Sequence, residues 1–452
     1  MERFIPKKEP VLKKKMPIIY IFSLGYFSII TLGAILLMLP ISTRGANLNL
    51  LEAYFTATSA TCVTGLVIFD TYSKFTFFGQ LIILILIQIG GLGFMTLLTA
   101  LPLITGKRVK IRDRLYIQDS LSLFHTGGSV RILKRTIAIT AFFEFTGSII
   151  LMTRFIPKFG VKNGIWMGIF HSISAFCNAG FDIMGRVTPF SSVTYFQNDI
   201  VVYTVLMTLI FCGGLGFIVW NEIIDKKNNF KKYTLHTRVM LVVSFALIFI
   251  SAIVYFICDY NKSLKELPLI HKIGASFFQV ITPRTAGFNL VPISEMSSAS
   301  KFMTAFLMFV GAGTGSTGGG VKVTVFSIMV FSMISYFKRS QDVNIFDRRI
   351  EDKVIRKVFS SATIYLTLAV VGSFLIAAIE EIGVFDIVFE VFSALGTVGL
   401  TTGITAQLNS ISKIILIILM FCGRVGSLTV FMTFILKDKK ALLRYPTGKI
   451  MV

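Results

Sequence analysis

The sequence has little charge and little cysteine for its length. Of its 452 residues only 15% are charged and 54% are hydrophobic, whereas about one quarter of a soluble globular chain is charged. This balance excludes an ordinary soluble protein and indicates an integral membrane protein. The cysteines form no CxxC pair and have no histidine at metal-ligand spacing, which argues against a disulfide framework and a zinc site. They are Cys62, Cys177, Cys212, Cys258 and Cys422.

Acidic residues are also scarce, with 23 against 45 basic residues and a net charge of +22. Such an excess would suggest a nucleic-acid partner unless it lies in the cytoplasmic loops of a membrane protein. With the N-terminus inside, most basic residues fall on one side of the membrane, in segments 1–15, 105–135, 225–238, 338–357 and 437–452. The positive-inside rule therefore predicts a multi-pass cell-membrane protein with both termini cytoplasmic, and no feature supports a nucleic-acid partner.

Long apolar runs occur eight times, near 17–40, 76–104, 131–156, 198–224, 237–258, 301–336, 355–379 and 409–436. The first follows three lysines and superficially resembles a signal peptide. It is long enough to cross the ~30 Å hydrocarbon core and lacks a small-x-small cleavage site, so we predict a retained first helix. A shorter apolar stretch lies between runs one and two, three and four, five and six, and seven and eight. The length of these stretches is typical of a re-entrant segment.

The short stretches resemble one another. They cover residues 52–66, 166–181, 272–288 and 387–400. When they are aligned on Gly65, Gly180, Gly287 and Gly399, a phenylalanine lies ten residues upstream in all of them: Phe55, Phe170, Phe277 and Phe389. A serine lies six residues upstream of the aligned glycine in the first, second and fourth stretches. In the third stretch Ile281 occupies this position and is followed by Thr282. The phenylalanines are most simply explained as packing behind the aligned glycines.

The whole chain is therefore interpreted as one unit repeated four times, a pattern found in internally duplicated membrane folds. The predicted repeats are 1–104, 105–224, 225–336 and 337–452, the last with a cytoplasmic C-terminal tail. The predicted fold is an all-α polytopic membrane protein with eight transmembrane helices. Its pseudo-fourfold repeats each contain a span, a re-entrant pore helix with a filter segment, and a second span.

This pattern predicts a cation pore. Backbone that is neither helix nor closed sheet must line a cavity at membrane depth, because unpaired N–H and C=O groups are costly in lipid. Four pore helices would aim the negative ends of their dipoles at a common axis, and carbonyls of the glycine segments would replace the hydration shell of the ion. Glycine permits the positive φ that this path needs.

Sixteen residues are the predicted filter, and no acidic residue is aligned within them, so backbone oxygens rather than a carboxylate ring would coordinate the ion. They are Cys62, Val63, Thr64, Gly65, Cys177, Asn178, Ala179, Gly180, Arg284, Thr285, Ala286, Gly287, Gly396, Thr397, Val398 and Gly399. Asp70, Asp182 and Asn289 lie just outside. They either gather cations at the mouth or are ordinary solvated loop residues.

The sixth run is too long for one span, and its glycine content is incompatible with an unaided helix. We predict a flexible gating loop beneath the filter rather than a close-packing glycine face of the GxxxG type. The predicted gate comprises Gly311, Gly313, Thr314, Gly315, Ser316, Thr317, Gly318, Gly319, Gly320, Lys322 and Arg424. Arg424 lies too deep in the eighth run to snorkel. We predict that it points into the cavity, raises the barrier to cations and anchors the loop carbonyls.

Other polar residues in the apolar runs leave alternatives open. Glu144 and Glu390 are either proton or ion sites or, more in keeping with buried carboxylates, paired and capped within the bundle. His171 is better explained as a packed, hydrogen-bonded imidazole than as a ligand. No paired carboxylates or Ser/His/Asp arrangement recurs on one face, so no catalytic site and no enzyme activity are predicted.

Several motifs resemble the KtrB-type membrane subunits of Ktr potassium uptake systems, in the Trk/Ktr/HKT superfamily. They are TSATCVTGL, AFCNAGF, ITPRTAGFN, SALGTVGL, IQIGGLGFMT and GAGTGSTGGGVK, and together they span nearly the whole chain. The resemblance implies potassium bound at the filter carbonyls, sodium as an activator, no covalent cofactor, and a gating role for the glycine-rich loop. In related plant carriers, serine at the first filter glycine accompanies sodium transport, and Gly65 here fits potassium. No role follows for Cys62.

The resemblance also implies a bacterial homodimer seated on a cytoplasmic regulatory nucleotide-binding ring of the KtrA/KtrC type, with nucleotide acting only through that partner. The basic loops 105–135 and 225–238 either dock such a ring or meet anionic lipid. Two alternatives remain. One is a sodium- or proton-coupled secondary cation symporter built on broken helices. The other is a membrane enzyme or scaffold, which lacks an acid/base pair.

Overall fold

A computed structural model describes residues 18–93, 129–227 and 229–426, and this part of the chain is mostly helical. Both termini, the basic segments 1–15 and 437–452, and most of 105–135 lie outside the described residues. So do the ends of the predicted spans 76–104 and 409–436. The helical architecture agrees with the predicted all-α class.

The helices in chain order are α1 (Ile18–Met38), α2 (Leu50–Thr61), α3 (Thr71–Lys74), α4 (Phe77–Leu92), α5 (Ser129–Phe159), α6 (Val161–Phe176), α7 (Ile200–Leu215), α8 (Phe217–Lys226), α9 (Leu235–Asp259), α10 (Leu269–Ile281), α11 (Ser298–Phe309), α12 (Val323–Phe337), α13 (Asp352–Ala377), α14 (Val384–Gly396) and α15 (Ser410–Val425). Short 3-10 turns occupy Pro40–Ser42, Met184–Arg186, Thr194–Phe196, Phe230–Lys232 and Ile293–Glu295. A small hairpin lies between α12 and α13, where β1 (Asn344–Ile345) pairs antiparallel with β2 (Arg348–Arg349).

Local side-chain chemistry explains where several of these helices begin. At the start of α2, the backbone N–H of Asn49 donates to Glu52 at 2.9 Å in a capping box. The carboxylate of Asp199 accepts from the N–H groups of Val201 and Val202 at the start of α7. These contacts satisfy donors that the first helical turn leaves unpaired.

Three helices in the described part of the chain, α5, α9 and α13, are long and apolar enough to cross a membrane. The pair α7 and α8 makes a fourth if its two parts form one span. Its axes are bent by 93° at Gly216, which has a φ of +97°. The predicted run 198–224 is thus a broken helix. The sequence analysis did not predict this break, at which Gly216 supplies a φ that only glycine readily adopts.

The predicted sixth run, 301–336, is also interrupted. Its two helices, α11 and α12, flank the non-helical residues 310–322. The helix break expected from the glycine content is therefore present. A parallel bridge between Val310 and Val321 closes the base of this loop.

The short helices α2, α6, α10 and α14 are arranged in a closed ring. When α3 is left out, the helix that follows each short helix packs against the next short helix along the chain: α4 on α6, α7 on α10 and α11 on α14. The last of them, α15, returns to pack on α2. This cyclic packing brings the C-terminal ends of distant segments of the chain to a common centre.

The core behind these ends is aromatic. Phe55, Phe170 and Phe389 are fully buried, as expected for packing residues. In the third segment Phe277 is only partly buried, and its neighbour Phe278 is the buried residue, at 1% exposure. The third short helix therefore matches the others after a shift of one residue.

Candidate ion-conducting site

Gly65, Gly180, Gly287 and Gly399 meet around one point. An ideal Cβ built on any one of these glycines would lie within 2.6 Å of a carbonyl oxygen in the next segment of the ring. Those oxygens belong to Ala179, Ala286, Val398 and Thr64, in the same order. Because no side chain fits at this separation, the ring is lined by main chain alone.

The backbone path through the ring is the same in each segment. The aligned glycines have φ between +69° and +90°. The residue two positions before each glycine is also left-handed, although none of these is glycine: Val63 (φ 57°), Asn178 (58°), Thr285 (77°) and Thr397 (52°). Left-handed non-glycine residues cost of order 1–3 kcal/mol each and cluster at functional sites. A strained path repeated at one offset is thus a marker of function.

Hydroxyl groups at the C-terminal ends of the short helices hold the backbone of these segments in place by hydrogen bonds. Ser59 and Ser393 accept from the N–H groups of Gly65 and Gly399 at 3.1 and 3.0 Å. Ser174 instead donates to the carbonyl of Phe181 at 2.6 Å, and Thr282 donates to that of Phe288 at 2.7 Å. Thr282 therefore does in the third segment what Ser174 does in the second. This contact reveals the one-residue shift that the ungapped alignment missed.

The side chains of the predicted filter residues are largely buried, and Asn178 lies 3.2 Å from the hydroxyl of Thr285 in the adjacent segment. Cys62 and Cys177 are fully buried. Arg284 turns outward, where its Nη2 donates to Ser244 on α9 at 3.0 Å, beside a small cavity lined by Phe211 and Ala312. Its charge is therefore held among the helices rather than at the ring.

A funnel of about 600 Å³ opens on the aligned glycines, all of which line it. Asp182 and Asn289 also line this funnel, in keeping with a place at the mouth. Asp70 does not. Its carboxylate accepts from the N–H groups of Ser73 at 2.7 Å and Phe190 at 3.2 Å. Asp70 is thus a structural residue that joins α3 to the segment beside the funnel.

Asp182 is the acidic residue among those that line the funnel in the described part of the chain. It is half-buried and accepts from the N–H of Met184 at 2.9 Å. Burial raises the pKa of Asp182 to about 7, against the opposing effect of that hydrogen bond, and the charge of Asp70 adds to the rise. The charge of the funnel therefore changes near neutral pH.

The glycine-rich loop lies against the inner residues of the ring. A Cβ on Gly318 would collide with the hydroxyl of Thr285, and the N–H of Gly319 donates to the hydroxyl of Thr397 at 3.1 Å. The hydroxyl of Thr317 donates to the carbonyl of Phe176, the last residue of α6, at 3.2 Å. The loop thus contacts three of the segments that form the ring.

The broken helix α7–α8 holds the other side of the loop. Gly313 donates to the carbonyl of Gly214 at 2.8 Å, and Thr317 donates to that of Gly213 at 3.3 Å. In the opposite direction, the N–H of Phe217, the first residue of α8, donates to Gly315 at 2.9 Å. The helix break at Gly216 is what frees this N–H for the loop.

Two basic side chains bind the carbonyls of this region. Arg424 donates to the carbonyl of Thr317 and to those of Gly90 and Gly91 on α4. Lys322 donates to the carbonyls of Gly318 and Gly319, at 2.8 and 3.3 Å. Within the described ranges neither forms a salt bridge. Their positive charges therefore lie against the loop.

A polar contact that sequence analysis missed joins α4 and α5 to the second filter segment. Glu144 accepts from the amide of Gln88 at 3.2 Å, and the thiol of Cys177 lies 3.6 and 3.7 Å from Gln88 and Glu144, respectively. The sequence shows Gln88, Glu144 and Cys177 only as separate polar residues in apolar segments. Their spacing along the chain does not reveal that they are in contact. His171 is a buried, hydrogen-bonded imidazole, as the sequence favoured.

Comparisons with known proteins identify relatives along nearly the whole chain. The family described as "TrkH: Cation transport protein" matches residues 26–444. Ktr system potassium uptake protein B from Bacillus subtilis is 39% identical over 95% of each chain. Potassium/sodium uptake protein NtpJ from Enterococcus hirae is 36% identical, over 97% of this chain and 98% of the relative. The crystal structure of the potassium transporter TrkH from Vibrio parahaemolyticus has a similar fold, with a TM-score of 0.77 and 17% identity, over 94% of this chain and 86% of that one.

Proposed function

The chain belongs to the TrkH family of cation transport proteins, and we propose that it takes up potassium through the ring of Gly65, Gly180, Gly287 and Gly399. Two relatives along nearly the whole chain bear the names of a potassium and a potassium/sodium uptake protein. The ion would enter by the funnel, lose its water at the ring, and leave past the glycine-rich loop. The proposed location is the cell membrane of a bacterium, with both termini cytoplasmic.

The observation that carries this proposal is the convergence of the aligned glycines on one point, with carbonyl groups packed between them. The short helices α2, α6, α10 and α14 end beside this point, so the negative ends of their dipoles favour a cation there. Carbonyl oxygens then take the place of the hydration shell. The filter is the set of sixteen residues predicted from the sequence, from Cys62–Gly65 to Gly396–Gly399, with the charge of Arg284 held away from the ion.

The pore is proposed to be built from four pseudo-fourfold repeats with eight spans, divided at 1–104, 105–224, 225–336 and 337–452. The closed ring of short helices and the recurring left-handed residues support this division. The broken helix α7–α8 is then the second span of its repeat, bent where it meets the loop.

The proposed gate is the loop 311–320 with Lys322 and Arg424. The loop lies against Thr285 and Thr397, so an ion leaving the ring would meet it first. Arg424 holds the carbonyl of Thr317 and adds a positive charge that opposes cation passage. Opening therefore requires the loop to leave these partners.

Regulation is proposed to come from a cytoplasmic nucleotide-binding ring under a homodimer of this chain, with sodium as a stimulating ion. Relatives named as parts of a Ktr system support a partner subunit. The name of the potassium/sodium relative supports a role for sodium. No covalent cofactor is needed for passive passage through carbonyls, and no reaction is catalysed.

The test is cation competition against rubidium uptake in vesicles that contain the purified full-length chain. Gly287→Ser should reduce the selection of potassium over sodium about tenfold, because a Cβ there displaces a carbonyl of the next segment, and about 1.4 kcal/mol corresponds to tenfold. The matched control is Gly45→Ser, which also replaces a positive-φ glycine but has no atom within 4 Å of the new Cβ.

Unchanged selection in Gly287→Ser would overturn the proposed filter. Uptake that requires one sodium ion or proton per rubidium ion would favour the coupled symporter instead. Absence of rubidium uptake by the unmodified chain would contradict potassium uptake itself.

A further inference from the structure

One polar position recurs on the short helices, beside the segments that leave the ring. On α6 it is His171, whose ring accepts from the N–H of Ile183 at 3.4 Å. On α10, after the one-residue shift, it is Gln279, which donates to the carbonyl of Val291 at 3.3 Å. Both neutral side chains thus fix the backbone that continues outward from the aligned glycine. A neutral group is sufficient for this task.

On α14 the same position carries a carboxylate, Glu390, which is 1% exposed. Its Oε1 accepts from the hydroxyl of Thr405, and that hydroxyl lies 3.0 Å from the hydroxyl of Thr401. Its Oε2 has no hydrogen-bond partner in the described ranges, and no basic side chain there forms a salt bridge with it. A buried carboxylate without a compensating positive charge is costly.

The cluster of Glu390, Thr401 and Thr405 lies beside the path of the transported ion. Thr401 and Thr405 both line the funnel, directly beyond Gly399. A cation in the funnel is therefore on the side of the ring where these threonines lie. The carboxylate behind them supplies the negative charge.

The chemistry of this cluster selects the kind of ion. Carboxylate and hydroxyl oxygens are hard ligands that suit hard cations. A single negative charge is neutralised by a monovalent ion. The hydroxyls are hydrogen-bonded to each other at 3.0 Å, so a small cation that replaces this hydrogen bond can contact both oxygens. Sodium fits this description better than potassium.

We propose that Glu390, Thr401 and Thr405 form a sodium site beside the potassium pathway. Sodium would bind the free carboxylate oxygen and both hydroxyls, and so join α14 to the segment 400–405 that follows Gly399. Occupancy then steadies the fourth filter segment in its conducting shape. This inference rests on the proposed potassium uptake and assigns the residues through which sodium stimulates it.

The experiment measures binding and transport separately on the full-length chain. Binding of radioactive sodium to the purified protein is measured in excess potassium, which occupies the ring. Rubidium uptake into vesicles is measured against external sodium, with an organic cation as replacement. Glu390→Gln should abolish both the sodium binding and the sodium stimulation. The matched control is Glu381→Gln, which removes an exposed carboxylate just before α14.

A second pair of variants separates coordination from folding. Thr405→Val keeps the shape but loses the oxygen, and should raise the half-saturating sodium concentration at least tenfold. Thr405→Ser keeps the oxygen and should behave as the unmodified chain. If Glu390→Gln binds sodium as well as the unmodified chain does, the proposed site is wrong. It is also wrong if the unmodified chain binds no sodium. Loss of rubidium uptake by the unmodified chain would instead contradict the potassium pathway, which the binding measurement does not require.

Discussion

At the scale of single residues, the account depends on which groups carry charge near the ion. The glycines and the arginine at position 424 were accessible from the sequence, because glycine at fixed offsets and a charge within an apolar run are strong signals. The outward turn of Arg284 toward Ser244 was not, since sequence spacing does not fix a side-chain direction. The contact of Cys177 with Glu144 was missed for the same reason.

Asp182 gives a prediction for pH. Its pKa is raised from 3.8 to about 7, so the funnel gains a negative charge only as the pH rises through neutrality. Rubidium uptake at low rubidium concentration should therefore rise several-fold between pH 6 and pH 8, because negative charge concentrates cations at the mouth. Asp182→Asn should remove this dependence. The measurement is initial uptake across the pH range in vesicles.

The control for this prediction is Glu266→Gln, since Glu266 is an exposed carboxylate that does not line the funnel. A full pH dependence in Asp182→Asn would assign the titration to another group. The pH dependence of stability has the opposite sign. The unfolded chain loses the Asp182 proton at lower pH than the folded chain, so the contribution of this group to stability falls as the pH rises from 3.8 to about 7.

At the scale of structural elements, the sequence predicted the interrupted sixth run but not the bent fourth one. Glycine at nearly every second position of 311–320 is incompatible with a helix, so that break was evident. The break at Gly216 follows a single glycine within an apolar run, which local composition does not distinguish from a continuous span. The third short helix was misaligned by one residue because Phe277 and Phe278 both satisfy the phenylalanine pattern.

The anchoring of the loop gives a prediction at this scale. Arg424→Ala removes the donor to the carbonyls of Thr317, Gly90 and Gly91 and removes a positive charge beneath the ring. Unpaired carbonyls of this kind cost about 1–3 kcal/mol, so the closed loop should lose that much stability. Rubidium leakage through the chain without its regulatory partner should increase at least fivefold. The measurement is tracer uptake at fixed protein content.

Lys413→Ala is the control, because Lys413 lies on the same helix and also donates to a carbonyl, that of Ala406, at 3.2 Å. It should leave the leakage unchanged. Equal leakage in Arg424→Ala and the unmodified chain would show that the arginine does not hold the loop closed.

At the scale of the whole molecule, the charge distribution and the internal repetition predicted a helical membrane protein of cation-transport type. The closed ring, in which α15 packs on α2, could not be predicted from the sequence. It depends on how each helix packs on the next, and aligned motifs establish similarity between segments without giving their distances. The hydrogen bond from Thr405 to Glu390 likewise forms only because the chain after Gly399 returns to α14.

The most direct test of the account is to locate a potassium substitute in a crystal of the protein. Rubidium or thallium scatters anomalously, so a difference map shows where the ion binds. We predict a peak on the axis enclosed by the carbonyls of Thr64, Ala179, Ala286 and Val398, which disappears when sodium replaces the ion. A map with no peak among these residues, and with the ion bound elsewhere, would contradict the account.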